Sequence, residues 1–165
     1  EMIAHVPMMH HPNPKTVLVI GGGDGGTIRE VLKHDTVEKA VLCEIDGLVI
    51  EACKEHLPTI ACELDNPKCE ILVEDAIEYI KGKENMFDIV LIDSTDPMGP
   101  GEGLFTEEFY TNVKRSLKKG GIVAAQSESP VVNKNEIKRK NSKRPFDSGG
   151  TPLPWHYPQQ PSAGN

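Results

Sequence analysis

Six acids stand where apolar runs of this chain give out: Asp24, Glu44, Asp75 and Asp93, with Asp46 and Asp96 close behind. An acid at the end of a strand often does no more than cap the next helix or turn. One or two after each of four successive runs point instead to carboxylates gathered along one crevice. Surplus negative charge there suits a ligand carrying a sulfonium or amines rather than phosphates. Asp24 is the most specific of them, because it lies inside Gly21-Gly22-Gly23-Asp24-Gly25-Gly26. The spacing Gly21-x-Gly23-x-x-Gly26 suits a tight turn, close backbone approach to a ligand, and close helix–strand packing. A carboxylate in that turn would repel a cradled pyrophosphate, so a neutral or cationic group is expected beside it.

Roles follow from position. Glu44 lies twenty residues after Asp24, at the end of the second apolar run, where an acid binds ribose hydroxyls in dinucleotide and adenosyl sites. Asp75, one strand further on, is placed to accept from the exocyclic amine of an adenine, with the backbone N–H of Ala76 as a donor to a ring nitrogen. Asp46 reads as a helix cap. Asp93-Ser94-Thr95-Asp96-Pro97-Met98-Gly99-Pro100-Gly101 follows a buried strand with two acids, two prolines and two glycines, which predicts a functional loop over the site.

The elements that must position these residues are legible as runs. Strands are expected at 17–20, 40–46, 69–73, 87–92 and 122–126. Helices are expected at 27–33, from about Leu48 to Leu57 with Val49, Cys53 and Leu57 on one face, at 76–81, and at 107–117 capped by Thr106. Lys118-Lys119-Gly120-Gly121 reads as the stop of that last helix. Upstream, Glu1–Pro7 has apolar residues at helical spacing, and His10-His11-Pro12-Asn13-Pro14 reads as a turn. Of the three histidines there, one packed imidazole and a solvated turn are expected rather than a metal site. Five strands alternating with helices predict an α/β fold with a Rossmann-like, doubly wound, mostly parallel sheet. Residues 1–139 form the nucleotide-binding portion of one catalytic domain. Residues 140–165 form an irregular Pro/Gly-rich segment. Sheets of this type usually carry more strands, so the sequence reads as incomplete.

The composition narrows the function classes. At 165 residues there is room for one domain with a core, although the apolar share is only 38%. A net charge of -7 argues against a nucleic-acid partner. No run is long and apolar enough for a membrane span, so a soluble protein is expected. Cys43, Cys53, Cys62 and Cys69 form no C-x-x-C pair, so no metal is expected. Cys43 and Cys53 read as small buried hydrophobes of a reducing compartment.

The glycine run, Cys43-Glu44-Ile45-Asp46, Glu74-Asp75-Ala76 and Asp93–Pro100 together resemble the spermidine synthases, the polyamine aminopropyltransferase family. Glu1–Pro7 and Ala125–Pro130 resemble it as well. The resemblance implies a methyltransferase-like fold of the S-adenosylmethionine type. It implies aminopropyl transfer from decarboxylated S-adenosylmethionine, a co-substrate rather than a prosthetic group, to putrescine, giving spermidine and methylthioadenosine. It implies that Glu44 holds the ribose, Asp75 and Ala76 the adenine, and Gly21, Gly23 and Gly26 the turn beneath. Asp24 and Asp93 then hold the aminopropyl ammonium, Asp93 helps deprotonate the attacking amine, and Asp96 faces the diamine. A cytoplasmic homodimer or homotetramer is implied too. The family's N-terminal hairpin, with a Tyr and a Gln or His just before Glu1, and its last strands are absent from this sequence. Weak or no activity is therefore expected of these 165 residues alone. The competing readings are an S-adenosylmethionine-dependent methyltransferase of the same fold, an NAD-dependent oxidoreductase, and a binding fragment without catalysis.

Overall fold

A computed structural model describes residues 1–94 and 103–126 of the chain. Helix α1 (Met2–His10) leads into β1 (Thr16–Gly21), α2 (Gly26–Leu32), β2 (Lys39–Glu44) and α3 (Gly47–His56). A 3-10 turn (Ala61–Glu63) precedes β3 (Cys69–Val73), α4 (Ala76–Ile80), β4 (Phe87–Asp93), α5 (Glu107–Ser116) and β5 (Leu117–Ala125). The five strands are parallel in the order β3-β2-β1-β4-β5. The chain winds outward from β1 to one edge, then returns to lay β4 on the other side of β1. That reversal places a crevice at the carboxyl ends of β1 and β4.

Central strands of a parallel sheet are covered on both faces, so their side chains are apolar in both directions. Val17, Val19, Leu42, Ile89 and Leu91 face Ala4 and Met8 of α1, Ile28 and Val31 of α2, and Ile50 of α3. Leu18, Ile20, Val41, Val90 and Ile92 face Ala76 and Ile80 of α4 and Phe109, Tyr110 and Val113 of α5. This is the doubly wound arrangement expected from the alternation of runs. At the amino edge, buried Asp88 accepts from the backbone N–H groups of Lys15 (3.0 Å) and Thr16 (2.8 Å) and from Lys118 Nζ (2.9 Å). One carboxylate thus ties β1, β4 and β5 together. Burial alone would raise its pKa; Lys118 and the two amides outweigh that and hold it below the ordinary value.

Three local expectations need correction. The first helix runs through Pro7 and takes in His10, expected in the turn, and Pro7 is buried. In α3 the buried residue is Ile50, whereas Val49 and Leu57 are each at least 40% exposed and Cys53 only packs against the core from the side. The helix lies at the rim of the sheet, so one turn rather than a full stripe meets the core. Lastly, β5 begins at Leu117, and Lys118–Gly121 form an irregularity within it: Phe87 pairs with Leu117 but Ile89 with Ile122. Gly120 at φ +83° makes that bulge possible.

Candidate active site

The glycine run leaves the end of β1 and turns back under Asp93. Gly21 and Asp93 are partners across the β1–β4 pair. Gly22 adopts φ +71°, and a Cβ there would lie 2.9 Å from Asp93 Oδ2, so a side chain is excluded by conformation and by contact. Gly25, at φ +81°, starts α2 against Leu64, with Gly25 N–H closing a turn onto Gly22 O at 3.0 Å. Of the fingerprint glycines, Gly23 lies close against Glu44: an added Cβ would lie 3.0 Å from Glu44 Oε2. Gly26 has only ordinary contacts, so the structure places no steric demand on it.

Each of the five described acids has a hydrogen-bond partner. Asp24 is exposed, and its Oδ1 accepts from Gly26 N–H at 2.9 Å, which stiffens the loop. Glu44 Oε2 accepts from Gly23 N–H at 3.1 Å and Oε1 from Asp46 N–H at 3.1 Å. The carboxylate therefore joins the glycine turn to the end of β2. Asp46 caps α3 through Leu48 N–H (2.9 Å), as expected, and Asp75 caps α4 through Ile77 N–H (2.8 Å). Buried Ala76 begins that helix. Asp93 Oδ2 accepts from Thr27 Oγ1 at 2.5 Å. Parallel register keeps the ends level: Gly21 opposite Asp93, Ile20 opposite Cys43, Glu44 opposite Val73.

The field of these acids reaches inward. Cys43, buried one residue before Glu44, donates to Glu74 O at 3.5 Å. Burial first, then the charges of Glu74, Asp75 and Glu44, push its thiol up to about 12. All four cysteines are free; Cys43 is buried, Cys53 half-buried and Cys62 exposed.

The structure thus brings Gly21, Gly23, Asp24, Gly26, Glu44, Asp75, Ala76 and Asp93 to one edge of the sheet. Asp96 and the rest of its loop lie outside the described residues, as do Ser127–Pro130 and residues 140–165. Among the histidines, His5 is the packed one: it bonds His34 at 3.0 Å and Glu30 at 2.9 Å, while His10 and His11 make local bonds at the surface. Two residues escaped the sequence reading. Thr27 looked like a helix residue of no special role, and its bond to a residue 66 positions away has no local signature. Ile45 is 54% exposed between the two acids at the end of β2. The signal for it was present, since an isoleucine between Glu44 and Asp46 is out of place on a polar rim.

Comparisons with known proteins give the family and the fold. The family described as "Spermine/spermidine synthase domain" matches residues 1–146. A polyamine aminopropyltransferase of Clostridium kluyveri is 53% identical over 148 residues, covering 88% of this chain and 54% of the relative. One of Thermotoga maritima is 57% identical over 134 residues, covering 81% and 45%. A crystal structure of spermidine synthase in complex with the transition-state analogue AdoDATO superposes with a TM-score of 0.82 at 54% identity, covering 87% of this chain and 50% of that one. The chain spans about half the length of the curated relatives it matches. On the fold, the acids at its crevice and these matches, the chain belongs to the spermine/spermidine synthase domain family.

Proposed function

We propose that the full-length protein is a spermidine synthase that transfers the aminopropyl group of decarboxylated S-adenosylmethionine to putrescine, releasing spermidine and methylthioadenosine. The observation that carries the reading is the level row of carboxylates at the β1–β4 reversal, with one of them inside the glycine turn. A site with Asp24, Glu44, Asp75 and Asp93 along one edge favours a ligand that brings positive charge. Decarboxylated S-adenosylmethionine brings a sulfonium and a free ammonium, and the relatives' names point to the same chemistry.

In this reading Glu44 binds the ribose hydroxyls, Asp75 and Ala76 N–H read the adenine edge, and exposed Ile45 gives the ring an apolar support. Asp24 and Asp93 hold the aminopropyl ammonium, and Asp96 receives the far ammonium of the diamine. The putrescine nitrogen attacks the carbon next to the sulfonium. The new C–N bond forms as the C–S bond breaks, and the sulfur leaves as the neutral thioether of methylthioadenosine. The sulfonium is already an activated leaving group, so the protein's work is alignment and proton removal. An alkylamine has a pKa of about 10.4 and is cationic at neutral pH, so a carboxylate must take its proton before or during attack. Asp93 is the acid placed for that. Asp24 would oppose the carboxylate of intact S-adenosylmethionine and accept the decarboxylated form. The proposal includes a cytoplasmic homodimer or homotetramer, which sedimentation velocity tests.

The deciding experiment incubates the full-length protein with decarboxylated S-adenosylmethionine and putrescine and follows methylthioadenosine and spermidine. Equimolar appearance of both is expected. Tighter calorimetric binding of intact S-adenosylmethionine than of the decarboxylated form would sink the proposal in favour of methyl transfer.

A further inference from the structure

We propose that Thr27 is the positioning residue for Asp93, fixing which carboxylate oxygen faces the crevice; this rests on the role given to Asp93 above. Thr27 is the second residue of α2 and only 6% exposed, so its hydroxyl has lost water and needs an acceptor in the protein. It finds one in Asp93 Oδ2 at 2.5 Å. Gly22 backs the same oxygen, 2.9 Å from where its Cβ would stand, and the Gly21–Asp93 register holds the backbone beneath. Among the described residues no other hydrogen bond reaches this carboxylate. Oδ2 is boxed in, and Oδ1 is the oxygen left for substrate.

The physical need for such a hold is direct. The terminal torsion of an aspartate is broad and roughly two-fold, so an untethered carboxylate presents both oxygens over a wide arc. An acid that must grip an ammonium and take a proton from a nearby amine needs a fixed plane and a fixed edge. A neutral hydroxyl supplies that without adding charge. A lysine or arginine in the same place would hold Asp93 more strongly, yet would compete with cationic substrates for it. The β-branched side chain restricts χ1, so the hydroxyl itself is aimed.

Variants of the full-length protein test this. Thr27→Val keeps the shape and removes the donor; Thr27→Ser keeps the donor and removes the methyl. Thr27→Val is expected to lower kcat about tenfold while Kd for methylthioadenosine, which lacks the aminopropyl ammonium, stays within about twofold, and Thr27→Ser to stay near the parent rate. A Thr27→Val kcat within about twofold of the parent overturns the proposal. So does an equal loss in both variants, or a loss matched by weaker methylthioadenosine binding, since either marks plain packing. Crystal structures of parent and Thr27→Val give a readout independent of turnover. A turned or split Asp93 carboxylate in the variant supports the hold, and an unchanged one overturns it whatever reaction the parent performs. A parent that makes no methylthioadenosine counts against the proposed reaction alone.

Discussion

In the proposed reaction the decisive residue is Asp93, the last residue of β4 and the partner of Gly21 across the sheet reversal. Its backbone is set by ladder geometry, so replacing its side chain by an isosteric amide leaves the crevice in place. Asp93→Asn is expected to cut turnover by two orders of magnitude or more, on the order of 3 kcal/mol of transition-state stabilisation, with methylthioadenosine binding largely kept. Comparable steady-state rates for variant and parent would end its role in proton removal. The acids were legible in the sequence because each one interrupts an apolar run. Their bonds were not: Glu44 to Gly23 and Asp93 to Thr27 join residues far apart in the chain, and no spacing rule encodes them.

At the scale of elements, α1 and α2 are joined through one buried acid. Glu30 is 2% exposed, and its carboxylate accepts from Lys33 Nζ (2.8 and 2.9 Å), His5 Nε2 (2.9 Å) and Arg29 Nε (2.9 Å). Lys33 above all, with His5 and Arg29, overcomes the cost of burial and lowers its pKa to about 2. His34, bonded to His5, is lowered by its own burial and by the His5 charge, against a small opposing pull from Asp35. The signs follow. Glu30 is more acidic folded than unfolded, so its contribution is full above about pH 4.5 and is lost as pH falls toward about 2. His34 takes a proton more readily when unfolded, so it begins to cost stability as pH falls through about 6.5. The thermal unfolding temperature is expected to fall as pH is lowered through each of those two windows. Glu30→Gln should cost about 2 kcal/mol at pH 7 and flatten the lower window. A variant whose acid limb runs parallel to the parent's would refute the assignment. None of this cluster was visible as a unit in sequence, because His5 meets Glu30 and His34 across 25 and 29 positions and no spacing rule joins them.

At the scale of the molecule, the doubly wound sheet was the most legible feature, since fully buried parallel strands are written as continuous apolar runs. What blurred was the periphery: α3, whose core contact is a single turn around Ile50, and β5, whose Lys-Lys-Gly-Gly reads as a helix stop yet folds as a bulge. Peripheral elements answer to few neighbours, so local pattern and final structure diverge there most. Burial, with the acids at the carboxyl edge behind it, also governs a chemistry unrelated to polyamines. With its thiol pushed up to about 12, Cys43 is almost wholly un-ionised at neutral pH, and Cys69 is held up at about 11, chiefly by burial. Thiolates, not thiols, react with alkylating agents and peroxides. Timed iodoacetamide labelling read by mass spectrometry is therefore expected to modify exposed Cys62 first, with Cys43 and Cys69 modified only on unfolding. Rapid modification of Cys43 in the folded protein would contradict this. Burial first, and the negative rim after it, thereby shield the sulfur behind the end of β2 and give that edge of the sheet a built-in resistance to oxidative damage.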